Sequence, residues 1–157
     1  MPRPLRTLVI VALVAGAIVA ATRWPRINEV ESGRTPEYPE LREREFAAPE
    51  ASVGRAAKAA VTALPGWSFV GAGQGPGGTS IQALATNPAP VKTDMTITIR
   101  RQGGKTVVRV RARSNFGPWD FGQGARHIET FLAELDRRLE LGGAASHPPD
   151  PPRATPK

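Results

Sequence analysis

Three arginines stand at alternate positions near the end of the run Lys105 to Arg113: Arg109, Arg111 and Arg113. In a strand, alternate residues share a face and sit about 7 Å apart. A row of guanidinium groups at that spacing suits phosphate or carboxylate, because the planar fork donates to two oxygens at once. Arg100, on the neighbouring alternating run, is placed to join the row. The same residues also fit a solvated strand face, or arginines paired with Asp94 and the acidic segment upstream.

A second group follows in the chain. Ser114, Asp120 and His127 hold the atom types of a nucleophile, an orienting carboxylate and a base. No strand–turn–helix elbow of the Gly-x-Ser-x-Gly kind surrounds Ser114, so a hydrolase is the weaker reading. Asp120 stands just before a predicted helix, where a carboxylate accepts free N–H groups and meets the positive end of the helix dipole. Holding Arg113 or Arg126 is its other structural use. His127 reads as a capping or solvent-facing histidine, and Trp119 and Phe121 as packing residues, with exposure beside the basic face the alternative for Trp119. The glycines between Gly71 and Gly78 are not a phosphate loop. A strand follows them instead of a helix, and no Lys-Ser/Thr pair closes the motif, so they predict a hairpin turn.

Composition narrows the chemistry further. The chain has no Cys, which excludes disulfides, Cys-bound metals and thiol nucleophiles. It has two His, His127 and His147, too few for a multi-His metal site, so no metal and no cofactor are expected. A length of 157 residues argues for one folded domain. The net charge is +7, but unevenly spread: residues 51–141 carry +6 and residues 24–50 carry −3. A basic domain favours acidic partners.

The N-terminus bears on which partners. Thr7 to Thr22 is free of charge, with Arg3 and Arg6 before it and Arg23 and Arg26 after it. As a helix those residues would reach about 24 Å, short of a hydrocarbon core of about 30 Å. Trp24 and the flanking arginines could snorkel to make up the difference. The expectation is an uncleaved transmembrane helix in residues 1–24; the alternative is an export signal cleaved at Ala15-Gly16-Ala17. The slight excess of positive charge on the N-terminal side places the body outside the cytoplasm, on the periplasmic face of the inner membrane. An exported domain does not meet the genome, so nucleic acid is not an expected partner. The membrane, an anionic lipid, a glycan acid or an acidic protein remain.

Elements able to position these residues can be read from period and punctuation. Residues 25–40, with Pro25, Pro36 and Pro39, read as an extended spacer, and residues 142–157 as a disordered Pro-rich tail containing His147. Residues 41–141 form one domain. A short strand is expected in 42–48, and a helix over 49–64 with Val53, Ala57, Ala60, Val61 and Leu64 on one side. Strands follow at 67–70 and 79–85. Two alternating runs come next: Met95, Ile97 and Ile99 point inward from the first, and Val108, Val110 and Ala112 from the second, joined by Gly103-Gly104. A last helix over 123–141 carries Ile128, Phe131, Leu132, Leu135 and Leu139 at helical spacing, and Glu134 can pair with Arg138. The order β-α-β-β-β-β-α predicts an α+β two-layer sandwich: an antiparallel sheet of four to five strands with two helices on one face, plus the N-terminal transmembrane helix.

The connection between the last strand and the last helix also carries a family pattern. Arg111-x-Arg113-Ser114-x-x-Gly117-x-x-Asp120-x-Gly122, followed by Arg126-His127-Ile128, resembles the bacterial and plastid family DUF1499. Ile27-Asn28, the Thr35-Pro36-Glu37-Tyr38-Pro39 segment and Lys92-Thr93-Asp94 agree in order, so the similarity spans about residues 27–139. Gly124 stands where that family often has Asn, His127 where Arg is common, and Asn115 at a position often basic. The resemblance implies a small exported or membrane-tethered domain and no established activity. Together these readings predict a membrane-anchored, envelope-facing binding or accessory module whose Arg100, Arg109, Arg111 and Arg113 meet an anionic group. The rivals are an enzyme built around Asp120, Ser114 and His127, and a subunit of an envelope complex.

Overall fold

In the computed structural model, which describes residues 3–23, 27–86, 91–115 and 117–145, three helices and six strands follow one another along the chain. They are α1 (Arg3–Arg23), β1 (Glu29–Glu31), β2 (Arg44–Phe46), α2 (Glu50–Ala63), β3 (Trp67–Gly75), β4 (Gly78–Thr86), β5 (Lys92–Gln102), β6 (Lys105–Ser114) and α3 (Gln123–Ala145). The sheet is antiparallel throughout, in the order β1-β6-β5-β4-β3. β2 also pairs with β6, so β1 and β2 share one edge: β1 lies against Arg111–Arg113 and β2 against Thr106–Val108.

Period-two alternation builds the middle of this sheet. Ile81, Ala83 and Ala85 of β4, Met95, Ile97 and Ile99 of β5, and Val108, Val110 and Ala112 of β6 are all buried on one face. α2 covers them with Val53, Ala57, Ala60 and Val61, and α3 with Ile128, Phe131, Leu132 and Leu135. Full burial of each larger apolar side chain stabilises by about 1.5–3 kcal/mol. The β5–β6 turn places Gly103 at φ 56° and Gly104 at φ 81°. Left-handed backbone at both central residues matches the twist of the flanking strands, and glycine supplies it without a Cβ clash. Arg138 pairs with Glu134 at 2.6 Å, as the four-residue spacing predicts.

The expected transmembrane helix is not there. Residues 3–23 are helical, but among the described residues no helix is long and apolar enough to cross a membrane. The physical reason is length against dilution: the uncharged run is interrupted by Gly16 and repeated alanines and is bounded by arginines at both ends. Leu8, Ile10, Val11 and Leu13 of this helix are exposed. The flanking residues Trp24 and Arg26, the turn at 87–90 and the tail over 146–157 with His147 lie outside the described residues.

Three boundaries also differ. The sheet has six strands, because the expected spacer contributes β1 and buries Val30 completely. The glycine-rich stretch is mostly strand: β3 runs to Gly75, which pairs with Gly78 across Pro76-Gly77. The last helix continues to Ala145, four residues past its expected end.

Phe131 is fully buried and stacked on Trp67 with centroids 6.0 Å apart. Phe131→Ala is expected to destabilise the domain by about 3–5 kcal/mol, read as a lower urea midpoint at unchanged slope.

Candidate functional site

The open face of the sheet carries the arginine row. Antiparallel register puts Glu31 opposite Arg111, Glu29 opposite Arg113, Thr96 opposite Arg111 and Thr98 opposite Arg109. Arg100 lies across from Val107 on the same face, six residues down β6 from Arg113. All four arginines named from the sequence therefore share one surface, as alternation requires.

Their surroundings are not alike. Arg109 is held by Glu43, with Glu31 at 3.6 Å, and its side chain is only 21 % exposed. Arg111 donates to Glu29 at 2.7 Å in a pair that is nearly half exposed. That hydrogen bond holds the Glu29 carboxyl below its ordinary value and raises the Arg111 guanidinium above its own. Arg113 and Arg100 make no ion pair or hydrogen bond with any described residue. Asp94 stands opposite Arg113 in register but does not close a pair with it. Arg113 is exposed and affects Glu29 only at longer range. The counter-ions Glu29, Glu31 and Glu43 all come from β1 itself and the segment between β1 and β2.

The connection from β6 to α3 is built around Asp120. Its residue is 2 % exposed, and its two carboxylate oxygens accept from the N–H groups of Gly122 and Gly124, each at 2.8 Å. Its own N–H donates to the Ile27 carbonyl at 3.1 Å. Gly124 makes this approach possible: a Cβ there would stand 2.7 Å from the Asp120 Oδ2 and 3.3 Å from the Ala112 Cβ. Phe121 takes a left-handed φ of 52°, and the Arg126 guanidinium donates to the carbonyls of Phe121 and Gly122. Gly117 and Gly122 of the sequence motif likewise adopt positive φ, at 57° and 72°. The motif is thus a set of backbone conformations around a buried carboxylate.

Ser114, Asp120 and His127 are all buried, but with different occupations. The Ser114 N–H donates to the Asn28 carbonyl at 2.8 Å, which fastens β6 to the chain before β1. His127 neither caps the helix nor faces open solvent as expected. It is 9 % exposed, with its ring edge-on to Trp67 at 5.7 Å. Burial, and then the charge of Arg126, push its pKa below the ordinary value. Its imidazole makes no hydrogen bond to a described residue, so no His127–Asp120 relay exists. The Tyr38 hydroxyl is buried without a partner among the described residues, and burial raises its pKa, with Asp120 adding to the rise. Phe121, expected to pack, is 46 % exposed, and Trp119 takes the exposed alternative at 38 %; the two meet each other edge-to-face at 5.9 Å.

Sequence reasoning missed Trp67 as the neighbour of His127, though a signal existed. His127 and Phe131 are four residues apart, so both lie on the side of α3 that meets Trp67.

The family profile described as "Protein of unknown function (DUF1499)" matches residues 20–135. No curated protein matches. Solved structures with some likeness include TTHA0849 from Thermus thermophilus, at 16 % identity over 76 % of this chain and 99 % of that one, with a TM-score of 0.38. Ms6760 from Mycobacterium smegmatis is 12 % identical over 67 % of this chain and 90 % of that one, with a TM-score of 0.37. NE0264 from Nitrosomonas europaea is 15 % identical over 74 % of this chain and 96 % of that one, with a TM-score of 0.36.

Asp120→Ala leaves two helix N–H groups without their acceptor and is expected to cost about 2–3 kcal/mol in urea unfolding. Gly124→Ala is expected to cost about 1–3 kcal/mol through the clash with that carboxylate. The lowered His127 pKa makes the unfolded chain the better proton acceptor. Stability therefore falls as pH drops below about 6.5 and levels off once His127 protonates in the folded state. Urea midpoints from pH 8 to 5 should show this slope in the parent and lose it in His127→Gln.

Proposed function

The chain belongs to the DUF1499 family, and from that premise we propose that it is a non-catalytic binding module whose open sheet face meets an extended anionic surface. The observation that carries this reading is the spacing of the unpaired arginines. Arg113 and Arg100 have no ion-pair partner among the described residues and stand about six strand positions apart on one face, or about 20 Å. A single small anion cannot touch both; a bilayer surface or an acidic chain can. Between them Arg111 is held only by a half-exposed pair. Such pairs are worth about 0–1 kcal/mol, so Glu29 can be exchanged for a ligand oxygen at little cost. Arg109, held by two carboxylates, serves the edge of the sheet instead.

Catalysis at the β6–α3 connection is the poorer reading, because both Asp120 oxygens already hold backbone N–H groups. The location we propose is outside the cytoplasm, reached through an export segment rather than a span. The uncharged run is too short to cross a bilayer but has the length of a signal's apolar core, and Ala15-Gly16-Ala17 offers a small-residue cleavage site. The N-terminal sequence of the mature protein tests this; an intact N-terminus on protein recovered from the cytoplasm rejects it.

The binding reading is tested by co-sedimentation with phosphatidylserine-containing and with pure phosphatidylcholine vesicles, and by titration with heparin as a soluble polyanion. Binding to at least one anionic partner, weakened by salt, is expected, with a loss of about five-fold for each of Arg100→Gln and Arg113→Gln. Equal affinity in parent and double variant rejects the arginine face as the contact.

A further inference from the structure

Outside α1, the large apolar side chains that stand exposed among the described residues are Val70, Trp119, Phe121 and Leu141. Val70 lies on β3, at the other edge of the sheet from β1, and Leu141 lies towards the end of α3. Trp119 and Phe121 instead adjoin, ring edge to ring face, at the turn before α3. The base of that turn is fixed. Asp120 takes the N–H groups of Gly122 and Gly124 and gives its own to Ile27, and the Asn28 side-chain amide donates to the Gly117 carbonyl at 3.0 Å. The two rings are thus held out from a rigid support.

The fold does not account for the choice of Phe at position 121. The turn requires left-handed backbone there, φ 52°. Gly or Asn adopts it readily, whereas a Phe Cβ meets the following carbonyl oxygen. Burial does not compensate in full, since Phe121 is 46 % exposed. A strained position that carries an exposed aromatic ring points to a use outside the fold.

Cations gather at the root of the turn. The exposed Arg126 donates to the Phe121 carbonyl at 2.8 Å. Lys92 and Asn115 are joined by two hydrogen bonds, which sets the exposed Lys92 at the start of the same connection, and Arg113 is two residues before Asn115. The carboxylates in register with Arg113 are Glu29, already engaged by Arg111, and Asp94. Size then separates the partners. The exposed parts of the two rings amount to roughly 150–200 Å². That is well short of the ~800 Å² each partner gives to a stable protein interface. A bilayer makes no such demand: aromatic rings settle at the headgroup level, and neighbouring cations are drawn to anionic lipid.

We propose that Trp119 and Phe121 form a tip that enters the headgroup region of an anionic bilayer, with Arg126, Lys92 and Arg113 around it on the lipid phosphates. The proposal rests on the reading that this domain meets an extended anionic surface, and between a bilayer and an acidic chain it selects the bilayer.

The experiment measures tryptophan fluorescence of the full chain with vesicles of phosphatidylserine and brominated phosphatidylcholine, bromine being a contact quencher of indole. Trp24 and Trp67 also emit, so Trp119 is read as the difference between the parent and Trp119→Phe, which removes any quenching of Trp24 beside α1. Quenching of Trp119 is expected when phosphatidylserine is present, and its loss in pure brominated phosphatidylcholine or at high salt. The double variant Trp119→Ser, Phe121→Asn is expected to weaken the phosphatidylserine-dependent binding about ten-fold and to leave heparin binding unchanged. Heparin binding without Trp119 quenching overturns the tip, assigns an acidic chain as partner and leaves the arginine face standing. Quenching that needs no phosphatidylserine and ignores salt overturns it as well, because the cations then take no part. Binding to neither vesicles nor heparin overturns both the tip and the arginine face.

Discussion

The buried carboxylate of Asp120 is the constraint on which the rest of the helix layer depends. It accepts two backbone N–H groups at the start of α3, and its own N–H is bound to Ile27 just before β1. A carboxylate this deep is costly unless its oxygens are satisfied, and charge-assisted bonds are worth about 1.5–3 kcal/mol each. Satisfying them requires the chain to double back within four residues. That forces Phe121 into left-handed backbone, at a cost of about 1–2 kcal/mol for a residue with a Cβ. Arg126 offsets part of this by donating to the carbonyls that the turn exposes. Gly124 has to be small because the carboxylate, Ala112 and Val30 all crowd its Cα. With the helix origin fixed this tightly, His127 and Phe131 fall on Trp67 and nowhere else.

β6 plays the corresponding part in the sheet. It pairs with β5 along its whole length and with both β1 and β2 on its other side. The acidic residues of β1 and of the chain between the two short strands then lie beside the arginines of β6. The segment that carries net negative charge in the sequence is therefore the edge that neutralises the most basic strand. The excess charge of the domain is not spread evenly as a result. On this face it survives at Arg113, beyond the reach of the edge carboxylates, and at Arg100 on β5.

How much of this was legible in the sequence depends on the length of the repeating signal. β5, β6, α2 and α3 each run through several periods of 2 or 3.6, and their inward residues are those the pattern predicts. β1 has three residues, too few for any period, so Glu29–Glu31 reads as spacer although Val30 is fully buried. The apolar N-terminal run is helical but no span, since hydropathy without sufficient length does not cross a membrane. Phe121 misled in the other direction. Its type argues for burial, but the turn around Asp120 leaves it exposed beside Trp119, and turn geometry of that kind is tertiary in origin. Asp120 itself was readable as a cap from its position before a helical pattern; the depth of its burial was not.

Arg109 and Arg113 show why residue type and spacing stop short of function. They are the same residue, on one strand, on one face, four positions apart. Arg109 lies where the chain between β1 and β2 brings Glu43 and Glu31 over it, and its burial limits screening by solvent. Arg113 lies past that cover, with its β1 neighbour Glu29 turned to Arg111. Removing Arg109 would strand two carboxylates at the sheet edge, so its loss would register first as lost stability. Removing Arg113 breaks no ion pair, so any effect it has must be felt by a partner. The difference between a structural and a recognition arginine is therefore set by the neighbouring edge, by which carboxylates it delivers and how far along β6 they reach.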